Sequence, residues 1–164
     1  MPPTNSKNSP SRSSSKLAHA SNLRSAKPVQ AAIGFRVKSG RAIAVVLGGP
    51  SSSPEVLARR EISLCDPAVP DSMQPYHAVL DMPGQKSAGV IDRLEKIVRS
   101  ATTASVTELV KEWRSEAYEL RGAGVVVGSL GDPASIKNDH IRAHALEGQL
   151  FRSAVEGAIG KNRL

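Results

Sequence analysis

The sequence predicts an α/β (α+β) domain with the element order β-β-β-α-β-α, in which helices pack on a mixed sheet. Three observations predict this class: short apolar runs rich in β-branched residues within 31–64, apolar residues at helical spacing from Ser87 onward, and a short apolar run at 123–127. Of the 164 residues, 40% are hydrophobic and 23% are charged, so the chain can bury one core.

The first three strands are predicted within residues 31–64. Residues 31–37 and 42–47 are apolar runs on either side of a Lys-Ser-Gly turn at 38–40, and together they predict a β-hairpin. A loop rich in glycine, serine and proline follows. Residues 55–64 then predict a third strand.

A long loop and one or two helices come next. Residues 65–86 contain four prolines, which exclude a continuous helix, and a loop of this length in a small domain is often functional. The apolar spacing after this loop predicts helical structure over 87–121, as one helix or as two, ended by Gly122 and Gly124. The wholly apolar run at 123–127 predicts a strand that is buried on both faces.

The last helix is predicted over residues 140–159, with Asn138 or Asp139 as its N-terminal cap. A right-handed crossover places the fourth strand beside the first and parallel to it. The predicted sheet order is therefore 3-2-1-4, in a single domain that spans residues 31–164.

Residues 1–30 differ from this domain in composition. They carry five basic residues, no acidic residue and eight serines, whereas the rest of the chain carries 17 basic and 15 acidic residues. We therefore expect a disordered basic arm, with an organellar transit peptide as the alternative, before a nearly neutral body. The high net charge of the whole chain comes mainly from the arm, so it does not by itself predict that the body binds nucleic acid.

The cysteine count and the hydropathy limit the possible chemistry and location. Cys65 is the one cysteine, which excludes an internal disulfide framework and a cysteine-based zinc cluster and is typical of a reducing, cytoplasmic compartment. Apolar runs stay well below the roughly 18–20 residues of a membrane span. We expect no membrane association.

The element order resembles that of the ribonuclease H-like superfamily. Locally, Gly34-Phe35-Arg36 stands where the Holliday-junction resolvases have Gly-hydrophobic-Asp, and residues 125–133 resemble that family's fourth strand and the loop after it. Separately, residues 140–148 resemble a stretch found in an uncharacterised bacterial family. The superfamily resemblance implies a two-metal nuclease site, but Arg36 replaces its first acid and residues 125–128 hold no acid.

The missing acids favour a non-catalytic or degenerate ribonuclease H-like module over an enzyme, with no cofactor. Such a module would bind nucleic acid or a protein partner. The candidate binding residues lie on the first hairpin, in the glycine loop at 128–131 and at the start of the last helix, and they are Arg36, Lys38, Arg41, Ser129, Asn138 and His140.

A different set of residues predicts a metal-dependent or acid/base enzyme. His140, His144 and Glu147 have the i, i+4, i+7 spacing of one helical face, which can hold a divalent metal, and His77 is the best lone candidate for a general acid or base. The simpler alternative leaves His140 exposed, with His144 and Glu147 hydrogen-bonded locally or to a neighbouring loop. Close approach of His77 to His144 or Glu147 would favour catalysis or metal binding.

A third hypothesis is a structural, oligomerising subunit. The ribonuclease H-like fold has a fifth strand beside its fourth, and the chain ends at Leu164 without one. A second copy could cover the open edge of the fourth strand and form a homodimer.

Overall fold

The computed structural model describes residues 27–128 and 131–164. It contains one four-stranded mixed sheet in the order β3-β2-β1-β4, with two helices packed on it, and this confirms the predicted α+β class and strand order. The long elements are β1 (Val29–Lys38), β2 (Arg41–Gly48), β3 (Glu55–Ser63), α1 (Gly84–Ser115), β4 (Tyr118–Val126) and α2 (Asp139–Lys161). Short 3-10 helices lie at Pro70–Met73, His77–Val79 and Pro133–Ser135.

The hairpin forms where the sequence predicts it. β1 and β2 pair antiparallel, and Gly40 in the turn between them has a φ of 71°, a conformation that glycine adopts without strain. Side chains alternate across β1, so that Ile33 and Phe35 are buried against the helices while Arg36 is exposed on the opposite face. The predicted basic arm lies almost entirely outside the described residues, although β1 begins at Val29, two residues earlier than predicted.

The predicted boundary between the first helix and the fourth strand is wrong. α1 is one helix of 32 residues that ends at Ser115, and β4 already begins at Tyr118. Ala117 reverses the chain with a φ of 68° although it is not a glycine. The apolar spacing continues through Leu120 because this residue is buried from a strand instead of a helix.

The prediction that β4 is buried on both faces is also wrong. β4 pairs with β1 at one edge of the sheet, in parallel register. Val126 is 65% exposed. A run of β-branched residues at a sheet edge has the same sequence pattern as a central strand, so the pattern does not separate the two cases.

Both helices cover the same face of the sheet and enclose the core. Trp113 and Val110 of α1 and Phe151 and Val155 of α2 are among its fully buried side chains. The first turns of α2 extend beyond this core to the segment that carries His77. Among the described residues, no helix is long and apolar enough to cross a membrane.

Candidate metal centre

The segment between β3 and α1 is held in place by its own hydrogen bonds. The buried hydroxyl of Ser72 accepts from the backbone N–H of Asp66 at 3.0 Å and donates to the carbonyl of Val69 at 2.6 Å. The Tyr76 hydroxyl donates to Glu95 of α1 at 2.6 Å. These bonds precede the short 3-10 helix at His77–Val79, which lies against α2 through the contact of His77 with Glu147.

The start of α2 brings three polar side chains to one face. The Asn138 side chain caps the helix by accepting from the backbone N–H of Ile141 at 3.0 Å, as the sequence predicts. The helical period then places His140, His144 and Glu147 on the face that meets His77.

The three histidine rings form a compact cluster. The ring centroids lie 4.6 Å apart for His77 and His140, 4.2 Å for His77 and His144, and 4.7 Å for His140 and His144. One nitrogen from each ring lies within 4.8 Å of the other two. With zinc–nitrogen bonds of about 2.0–2.1 Å, a tetrahedral site holds its nitrogens about 3.4 Å apart. Because His140 and His144 are exposed, their side chains have room to rotate toward this spacing.

Glu147 lies behind the cluster and is fully buried. Its Oε1 accepts from Nδ1 of His77 at 2.8 Å and from the backbone N–H of His77 at 3.3 Å. Its Oε2 is 3.8 Å from Nδ1 of His144 and has no hydrogen-bond partner among the described residues. A carboxylate in such a place costs free energy unless a positive charge compensates it, and its described ion-pair partners are both histidines.

The contact with Glu147 determines what His77 can do. A hydrogen bond to the carboxylate requires the imidazole proton to be on Nδ1, which leaves a lone pair on Nε2. Nε2 is buried and has no hydrogen-bond partner in the described part of the chain. This is the arrangement in which a carboxylate fixes the tautomer and the ring orientation of a metal-binding histidine.

The structure brings together all four residues of the predicted enzyme site, but it changes their roles. The sequence predicts His140, His144 and Glu147 as metal ligands, whereas in the structure the imidazole of His77 converges with those of His140 and His144, and Glu147 lies behind His77. The simpler alternative describes two features correctly: His140 is exposed, and Glu147 forms a hydrogen bond to a neighbouring loop. It does not include the convergence of three imidazoles.

The other predicted binding residues that the structure describes do not join this cluster. Arg36 is exposed on the sheet face opposite the helices, and Arg41 forms an ion pair with Glu61 at 3.7 Å. Asn138 acts as the helix cap, and Ser129 lies outside the described residues. Nucleic-acid binding through these residues stays a prediction.

Two features of the surroundings were not predicted from the sequence. Burial, and after it the hydrogen bond to Glu95, raises the pKa of Tyr76 well above its ordinary value. A cavity beside His144 is lined by Gly148 and Arg152, which follow this histidine on α2 at i+4 and i+8. Helical spacing from His144 was the one signal that could have indicated these two residues.

Comparisons of this chain with protein-family models, with curated proteins and with solved structures find no match.

Proposed function

We propose that this protein binds one divalent transition-metal ion of the zinc class through His77, His140 and His144, and that the ion serves hydrolytic chemistry. The observation that carries the proposal is the buried pair of Glu147 and His77, which leaves Nε2 without a described partner in a ring that packs against two other imidazoles. A bound cation gives that nitrogen a partner and compensates the buried carboxylate.

The ligand set indicates the kind of metal. Three imidazoles without a cysteine suit zinc and also copper, iron or nickel, whereas magnesium and calcium prefer oxygen ligands. Zinc held by three histidines keeps a fourth position for water and lowers the pKa of that water to about 7. This is why we favour zinc among the candidates.

The exposure of the ligands favours a reactive site over a structural one. Structural zinc sites are closed by four protein ligands, whereas this cluster offers three, two of them exposed to solvent. Water and substrate can therefore reach the fourth position. In hydrolysis the water oxygen bonds to the electrophilic carbon or phosphorus, the bond to the leaving group breaks, and the leaving group takes up the proton.

Zinc binding by the full-length chain tests this proposal. After removal of metal with a chelator, titration against a chromophoric competitor should show one zinc ion per chain. His77→Ala, His140→Ala and His144→Ala should each weaken the affinity by more than about 100-fold, because the loss of an outer carboxylate partner alone costs about 10–100-fold.

The chain supplies a matched control in its fourth histidine, His19, which belongs to the predicted arm. His19→Ala should leave the zinc affinity unchanged. Equal affinities in all four variants, or no stoichiometric binding by the wild type, would overturn the proposal.

A further inference from the structure

A cavity of about 530 Å³ adjoins the histidine cluster. It lies between the carboxyl ends of the parallel strands β1 and β4 and one face of α2, and His144 belongs to both the cavity wall and the cluster. In open sheets with parallel strands, ligands bind outside the carboxyl ends of the strands. The cavity is therefore in a position to hold a molecule that reaches the cluster.

The charged side chains in the described cavity wall are basic. Lys38 at the end of β1 and Arg152 on α2 line the cavity, and no acidic side chain is among the described residues that line it. The described ion pair of Arg152 is a long one, with its Nε 3.8 Å from Glu156. Both cations are therefore available to a ligand, and guanidinium and ammonium groups bind carboxylates and phosphates.

The rest of the wall is largely apolar. Val37 and Val126 contribute from the strands, and Ile136 and Ile141 contribute from the start of α2 and the segment before it. Sites for small molecules combine walls of this kind with a few polar groups that fix orientation. The occupant that matches the wall has an apolar body and one anionic group.

Gly148 keeps this space open. A Cβ built on Gly148 meets no atom within 4 Å, and glycine within a helix costs about 1 kcal/mol relative to alanine. His144, Gly148 and Arg152 are successive residues of one helical stripe. With a rise of about 1.5 Å per residue, Arg152 lies about 12 Å along the helix from His144, which suits a small molecule that spans the cavity.

We propose that this cavity binds the substrate of the metal centre, and that the substrate is a small amphipathic anion. Lys38 and Arg152 hold its carboxylate or phosphate, the apolar wall holds its body, and its reacting group lies at the His144 end. The inference rests on the proposed function, since it assigns a substrate class to the same site.

Anion binding is measured first on the full-length chain without metal, so that the anion cannot bind to zinc. Three probes share one apolar body: 4-(trifluoromethyl)benzoate, 4-(trifluoromethyl)phenyl phosphate and the neutral 4-(trifluoromethyl)benzamide, each titrated by fluorine NMR. At least one anion should bind about ten times more tightly than the amide, and the stronger of the two shows whether the site prefers carboxylate or phosphate.

Variants locate the binding in the cavity. Lys38→Gln and Arg152→Gln should each weaken anion binding about 10-fold, and Gly148→Leu should abolish it by filling the open space. Arg41→Gln is the matched control, because Arg41 is an exposed cation of the same hairpin that does not line this cavity. Equal binding of amide and anions, or anion binding that none of the three cavity variants changes, would overturn the inference.

A second measurement connects the cavity to the chemistry. With zinc bound, the chain should hydrolyse 4-nitrophenyl hydrogen glutarate with a kcat/KM about ten times that for the uncharged 4-nitrophenyl pentanoate, and Lys38→Gln should remove this preference. Zinc binding without anion binding would refute the cavity assignment alone. Anion binding without zinc binding would refute the proposed function and, with it, the role of the anion as a substrate.

Discussion

Tyr76 and His77 are neighbours in the chain, and each bonds to a carboxylate on a different helix. Tyr76 donates to Glu95 of α1, and His77 donates to Glu147 of α2. The side chain of Glu95 is 28% exposed and lies 3.7 Å from the permanent cation Arg99, whereas that of Glu147 is fully buried and its described ion-pair partners are histidines. One segment thus makes two similar hydrogen bonds in two different electrostatic environments.

The two environments indicate that the Tyr76 bond supports the fold and that the His77 bond belongs to the proposed metal centre. Arg99 and water compensate Glu95 whether or not the histidine cluster holds a ligand, so its hydrogen bond with Tyr76 anchors the segment independently of that cluster. The described ion-pair partners of Glu147 include no permanent cation, so a metal cation bound between the rings would compensate its charge. The electrostatic stability of the His77–Glu147 bond therefore depends on what the cluster binds, whereas that of the Tyr76–Glu95 bond does not.

The largest expected effect distinguishes the two carboxylates by zinc affinity. Glu147→Gln keeps the shape of the side chain but removes the charge that orients His77, so we expect zinc affinity to fall about 10–100-fold. Glu95→Gln removes a carboxylate that touches Tyr76 and Arg99 but none of the three histidines, so it should leave the affinity unchanged. Competition with a chromophoric chelator measures both.

The result also separates direct from indirect effects. If Glu95→Gln weakens zinc binding as much as Glu147→Gln does, both carboxylates act by holding the segment in place, and the distinction between the two sides is lost. Circular dichroism of each variant shows whether the fold is retained.

A smaller effect is expected on stability from Tyr76→Phe. This substitution removes the hydrogen bond to Glu95 and keeps the packing of the ring, so the free energy of unfolding at neutral pH should fall by about 1 kcal/mol. Urea unfolding of the metal-free chain measures the change. Tyr118→Phe is the matched control, because it leaves the Tyr76–Glu95 bond intact, and an equal loss in both variants would contradict the anchoring role.

The sequence predicts some of these features for reasons that the structure makes clear. The strand order follows from a hairpin, a third strand and the handedness of the crossover, which are local patterns or general rules. The shared face of His140, His144 and Glu147 follows from the helical period. By contrast, the role of His77 depends on the path of the segment between β3 and α1, which brings it to a residue 70 positions away, and no local pattern encodes such a contact.

The end of α1 shows the same limit at a single residue. Ala117 reverses the chain in a conformation that is common for glycine, so the sequence contains no stop signal where the helix ends. The apolar residues of β4 that follow continue the helical spacing by coincidence, and Gly122 is the first residue that looks like a helix terminus. Tertiary pairing of β4 with β1 therefore decides the boundary.

The last expected effect is a pH dependence of the Tyr76 anchor. Burial and the hydrogen bond to Glu95 raise the pKa of Tyr76 in the folded chain, while the unfolded chain has an ordinary value of about 10. The fold thus favours the neutral phenol, and its contribution is fully present below about pH 10. At higher pH, unfolding releases a proton, so this contribution is progressively lost as the pH approaches the folded pKa.

The stability difference between the wild type and Tyr76→Phe, measured by urea unfolding from pH 8 to pH 11, should be constant up to about pH 10 and then decrease. A difference that grows above pH 10 would mean that the ionised form is favoured in the fold and that Glu95 does not accept from this hydroxyl.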